Sequence, residues 1–109
     1  MANLCNREHA FAVSNGSAAL ELAVKAIGIG KGDEVIMPTF TIISCALAVV
    51  RSGATPVYVD ADPLSWNMKV EDIAPLITER TKAIMAVHIY GITVDMDPLL
   101  EIAKKYKLK

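Results

Sequence analysis

The residues best suited to chemistry lie in one short stretch, Ser14-Asn15-Gly16-Ser17-Ala18, set between the apolar Phe11–Val13 and the helix-forming run that follows. The first N–H groups of a helix have no intrahelical partner and together carry a partial positive charge, so such a helix mouth suits an anion. Gly16 lets a phosphate approach the backbone with no Cβ in the way, and Ser17 offers a hydroxyl as well as its N–H. Ser, Asn and Gly are also ordinary N-terminal caps, and spacing by itself leaves capping and phosphate binding both open.

Other chemistry-bearing groups are more scattered. Gly28-Ile29-Gly30-Lys31-Gly32 resembles a nucleotide loop superficially, but it follows a helix instead of opening one. Lys31 is followed by Gly32 where a phosphate-binding loop needs Ser or Thr, so a structural turn accounts for it. Cys5, His9, Cys45 and His88 show no close chelating pair, and no metal site is expected from them. Asp60 with Asp62 and Asp95 with Asp97 form two Asp-x-Asp pairs of the kind that could bind magnesium, but both sit inside Asp-Pro turns where turn and helix-capping chemistry accounts for them. His88, close to Tyr90, falls at the end of an apolar strand. That position suits a substrate contact and suits a packing and hydrogen-bonding role equally.

These residues need elements to hold them, and the sequence alternates strand and helix patterns. His9–Val13 suits a strand. Ser17–Ile27 reads as a helix with Gly28 as its left-handed stop. Glu34–Met37 is a short strand ended by Pro38, and Thr41–Arg51 is a helix apolar on nearly every face, as expected of one covered on several sides. Thr55–Val59 is a β-branched, aromatic strand, and Val70–Ile77 reads as a helix with Glu71 and Asp72 in its first turn. Thr81–Val87 is a strand of the continuous apolar kind buried on both faces, and Asp95 or Asp97 caps a last helix through Tyr106. The alternation predicts an α/β domain with a mostly parallel sheet, flanking helices and right-handed crossovers. In such sheets ligands gather at the carboxyl ends of the strands, where the Ser14–Ala18 turn falls.

Composition narrows the function. With 109 residues the chain is sized for one domain or part of one. Eleven basic residues nearly balance 12 acidic ones, so no electrostatic footprint for nucleic acid is present and small-molecule or protein partners are expected. The longest apolar run, Ile42–Val50, carries one Ser and is about half of what a membrane span needs. Two cysteines and no secretory leader fit a reducing cytoplasm.

Taken together, "SNGSAALELAVKAIGIGKGDEVIMPTFT", "GATPVYVDADPLSWNM", "ITERTKAIMAVHIYG" and "VDMDPLLEIAKKYKL" resemble, in order, successive blocks of the DegT/DnrJ/EryC1/StrS sugar-nucleotide aminotransferases, which use pyridoxal 5′-phosphate. The resemblance covers Phe11–Lys109. It implies that residues 1–109 are an amino-terminal, incomplete part of the large cofactor-binding domain of a fold type I enzyme, whose seven-stranded mixed sheet works in a homodimer with active sites at the subunit interface. It implies further that Gly16, Ser17 and Ala18 take the cofactor phosphate and that the residue at Ile42 lies against the cofactor ring. The family's usual aromatic is absent at Ile42. An isoleucine covers a ring face by apolar contact but lacks the π surface for stacking, a difference of about 0.5–1.5 kcal/mol. Phe40 is nearby, and its expected place is the core.

The family's Schiff-base lysine, and the aspartate that pairs with the ring nitrogen, are expected beyond Lys109. None of the eight lysines here has that lysine's context, so no catalytic residue is assigned. The implied reaction moves an amino group from glutamate to the 4-keto carbon of a GDP-linked deoxysugar, and the 109 residues alone are expected to be inactive. A related sugar dehydratase, in which His replaces the lysine, and a non-catalytic α/β binding module are the alternatives.

Overall fold

The computed structural model describes residues 1–109, and its ordered elements follow from local sequence chemistry. Helix α1, Gly16–Ala26, is built from Ala, Leu, Glu and Lys and opens at Asn15, whose side-chain oxygen accepts the Ala18 N–H at 2.9 Å. It stops where Gly28 turns left-handed at φ 79°. Strand β1 follows at Glu34–Pro38, then helix α2 at Ile43–Arg51 and strand β2 at Thr55–Val59. Gly53, at φ 90°, lies between α2 and β2; a Cβ there would meet Lys31 backbone at 3.4 Å, so both the dihedral and the close approach call for glycine. Strand β3 is Thr81–Ile84, and helix α3, Met96–Tyr106, comes last.

The sheet has the order β2-β1-β3 with both pairings parallel. All five β1 residues are buried, as in a central strand covered on both faces. Val35 and Met37 belong to one core with Val24 of α1 and Cys45, Ala48 and Val49 of α2. Ile36 points the other way into a second core with Val59, Met68, Ile73, Val94 and Leu99. The period-2 alternation of β1 therefore joins two apolar layers across one sheet. Glu21 of α1 and Arg51 of α2 form an ion pair across the outside of the helix layer. No helix is long and apolar enough to cross a membrane.

At the amino end of β1 the buried Glu34 accepts a hydrogen bond from the Thr78 hydroxyl at 2.5 Å and pairs with Arg80 at 2.5 Å. The Thr78 bond is the largest influence holding its carboxyl below the ordinary value of 4.5. Burial opposes this, while Arg80 and Thr81 add to the lowering.

Several expectations are corrected. His9–Val13 forms no strand: none of the three strands lies beside it to complete a ladder, and Phe11 is 83% exposed. Val70–Ile77 is not an α-helix but two 3-10 turns, Val70–Asp72 and Ala74–Leu76, because Pro75 offers no N–H to continue the first. The strand expected over Thr81–Val87 ends at Ile84, although the Met85 N–H still donates to the Ile36 carbonyl at 2.8 Å. Within this chain helix α2 is covered on one side: Ile43, Leu47 and Val50, spaced as one helix stripe, are exposed. Phe40 is likewise not a core residue.

Candidate active site

The sheet places three chain segments at its carboxyl edge, those that follow β1, β2 and β3, and brings the mouths of α1 and α2 together there. The contact between the helices is made by hydroxyls. Ser17, the second residue of α1, donates to the Ser44 Oγ, in the first turn of α2, at 3.0 Å. Gly16 faces open space, with nothing within 4 Å of where a Cβ would stand. By helix geometry its N–H and that of Ser17 lack intrahelical partners, whereas the Ala18 N–H is taken by Asn15. Of the three expected phosphate-holding residues, Gly16 and Ser17 thus present free backbone donors, and the amide of Ala18 serves the cap.

Ile42 stands at the N-cap position of α2 in extended conformation, φ −67° and ψ 140°, and is 63% exposed. An isoleucine cannot cap, and no side chain accepts from the first N–H groups of α2. Ile42 borders an apolar hollow of about 310 Å³ with Met37, Ile43, Ala46 and Tyr58. A larger cavity, about 620 Å³, lies instead between the 62–71 segment and α3, with Glu71, Asp95, Glu101 and Lys105 among its walls; Gly16, Ser17, Ile42 and His88 do not border it.

His88 lies in the segment after β3, and its Nδ1 accepts the Val94 N–H at 3.1 Å. With Nδ1 accepting, Nε2 is the ring nitrogen left to donate, and the residue is exposed. The segment is stapled by Asn67, which is buried and donates to the carbonyls of Ile92 and Thr93 at 3.1 and 3.2 Å while accepting the Ile89 N–H at 3.4 Å. Asn67 in turn is positioned by the turn after β2. There Asp62 accepts from the Leu64 and Ser65 amides and the Ser65 hydroxyl, bonds that hold its carboxyl below the ordinary range, the Ser65 amide foremost. Asp60 accepts the neighbouring Ala61 amide at 3.1 Å, and Asp95 occupies the N-cap position of α3 without a side-chain bond to that helix.

Each strand's carboxyl end also contributes one aromatic to a cluster. Phe40, Trp66 and Tyr90 pack edge to face, with ring centroids 5.6 to 6.5 Å apart. Trp66 and Tyr90 do so from left-handed backbone, φ 62° and 50°.

Ser44, Asn67 and this aromatic cluster are not among the residues expected from sequence. Ser44 left a signal, as the one hydroxyl in the apolar run Ile42–Val50. The role of Asn67 depends on contacts 22 to 26 residues away and left none.

A model of the DegT/DnrJ/EryC1/StrS aminotransferase family matches residues 1–109. GDP-perosamine synthase of Caulobacter vibrioides is 52% identical over 107 residues, which are 98% of this chain and 29% of that protein. UDP-N-acetyl-3-dehydro-alpha-D-glucosamine 3-aminotransferase of Acidithiobacillus ferrooxidans is 46% identical over 109 residues, 100% of this chain and 30% of that protein. The crystal structure of NtdA from Bacillus subtilis with bound cofactor PMP superimposes with a TM-score of 0.83 at 40% identity, over 85% of this chain and 21% of that one. The chain spans under a third of the length of the relatives it matches.

Proposed function

The chain belongs to the DegT/DnrJ/EryC1/StrS aminotransferase family, and from that premise we propose that it is the phosphate-holding part of a pyridoxal 5′-phosphate-dependent sugar-nucleotide aminotransferase. We assign the full protein the transfer of an amino group from glutamate to the 4-keto carbon of a GDP-linked deoxysugar, in a cytoplasmic homodimer. The observation that carries this reading is the joined pair of helix mouths. Gly16 leaves open space at the end of α1, and Ser17 adds a hydroxyl beside two N–H groups that have no helical partner, a donor set that fits a phosphate. The identity to GDP-perosamine synthase supports the GDP-linked substrate.

Bound at this mouth, pyridoxal phosphate supplies the electron sink that lets an amino group leave the donor and join the keto carbon. Gly16 and Ser17 hold its phosphate by charge-assisted hydrogen bonds, and the dipole of α1 adds to the attraction. Ile42 offers an apolar surface to the ring. His88, exposed and with its Nδ1 held by the Val94 amide, leaves Nε2 to donate to a substrate oxygen. No lysine of this chain is assigned the anchoring role.

The test is amination by the full-length protein, given glutamate and either a GDP-linked 4-keto sugar or a UDP-linked 3-keto sugar. A GDP-linked amino sugar is the expected product. A UDP-linked product alone overturns the substrate assignment, and no amination of either overturns the activity.

A further inference from the structure

We propose that Ser44 is a positioning residue of the phosphate cup, fixing the Ser17 hydroxyl so that it donates to the cofactor phosphate. The inference rests on the reading of the α1 mouth given above. Ser44 lies on α2, 27 residues from Ser17, yet their hydroxyl oxygens are 3.0 Å apart. Two hydroxyls at that distance share one proton between them and leave the other free to donate elsewhere. Either hydroxyl can donate to the other across this distance. With a phosphate at the mouth, the favourable arrangement has Ser44 donating to Ser17 while the Ser17 proton turns to the anion, each bond polarising the next.

Nothing else in the structure explains the placement of Ser44. It follows the N-cap residue Ile42 by two positions and makes no capping bond to its own helix. It is half-buried in an otherwise apolar run, and a serine inside a helix is a poorer helix former than alanine. Its neighbours Cys45 and Ala46 are buried in the core between α2 and the sheet, so the backbone that carries its hydroxyl is held by packing and not by a mobile loop. A lone Ser17 hydroxyl would divide its time among three rotamers and the nearby water. Ser44 removes that freedom before the ligand arrives, which is where preorganisation gains affinity.

The experiment uses the full-length protein and two probes that differ only in the group at issue: pyridoxal 5′-phosphate and pyridoxal, titrated by visible absorbance. Ser44→Ala is expected to weaken the phosphorylated form about threefold to tenfold, the worth of one hydrogen bond, while pyridoxal affinity stays within a factor of about two. Ser44→Thr, which keeps the hydroxyl, is expected to restore the difference. Equal weakening of both probes would show that Ser44 only supports the fold and would overturn the proposal, as would a Ser44→Ala protein with unchanged affinity for the phosphorylated form. Wild-type protein that binds neither probe would overturn the cofactor reading itself, and this inference with it.

Discussion

Asn67→Ala should free the segment that carries His88 while leaving the sheet intact. The buried amide of Asn67 makes two good donor bonds, to Ile92 and Thr93 carbonyls at 3.1 and 3.2 Å, and one long acceptor bond from Ile89 at 3.4 Å. Each good bond contributes about 1 kcal/mol net. Ile92 and Thr93 are exposed, so their carbonyls can take up water once released, and no further desolvation penalty is added. The segment should therefore open more easily by about 2 kcal/mol, a factor of about 30 in the opening equilibrium. The reporter is the Val94 amide, which is buried at 1% exposure and bonded to His88. Native-state hydrogen exchange on the full-length protein should show its protection falling about 30-fold, with the β1 amides unchanged. A fall of less than threefold would refute the reasoning, because the burial of Val94 in the second core would then be holding the segment without Asn67.

Three other perturbations have definite outcomes. Gly16→Ala meets open space at an unstrained position, so the thermal midpoint should hold or rise slightly while pyridoxal phosphate binds about tenfold more weakly, as the methyl enters the anion's place; equal affinity would move the phosphate elsewhere. Ile42→Tyr sits at a 63% exposed position and supplies the missing π face, so cofactor binding should tighten about twofold to tenfold by titration. Glu34 has a carboxyl pKa lowered in the folded state, so its contribution to stability is complete above the ordinary value of 4.5 and is lost as pH falls through the lowered value. Glu34→Gln should cost about 1 kcal/mol at neutral pH and flatten the dependence of thermal midpoint on pH below 4.5, measured by calorimetry across that range.

The sequence was most informative where structure is local. Helix α1, its Asn15 cap and its Gly28 stop depend on neighbours within four residues, and the alternation of strand and helix patterns was enough to predict a parallel sheet. What it misjudged depended on distant partners. His9–Val13 has the composition of a strand, but a ladder needs a neighbouring strand and none lies beside it. The apolar run of α2 implied cover on several sides, yet Ile43, Leu47 and Val50 are left bare by this chain. Phe40 was assigned to the core on residue type alone, whereas Trp66 and Tyr90, held out by left-handed turns, draw it into a surface cluster. Within the candidate site, Gly16 and Ser17 were legible because helix mouths have a local signature. Ser44 and Asn67 act across 22 to 27 residues and became visible only in three dimensions.

The central claim is that the mouth of α1 holds the cofactor phosphate. A crystal structure of the full-length protein with pyridoxal 5′-phosphate tests it most directly. Phosphate oxygens are expected within about 3 Å of the Gly16 and Ser17 backbone nitrogens and of the Ser17 Oγ. A phosphate bound away from these atoms, with the α1 mouth filled by water alone, would contradict it.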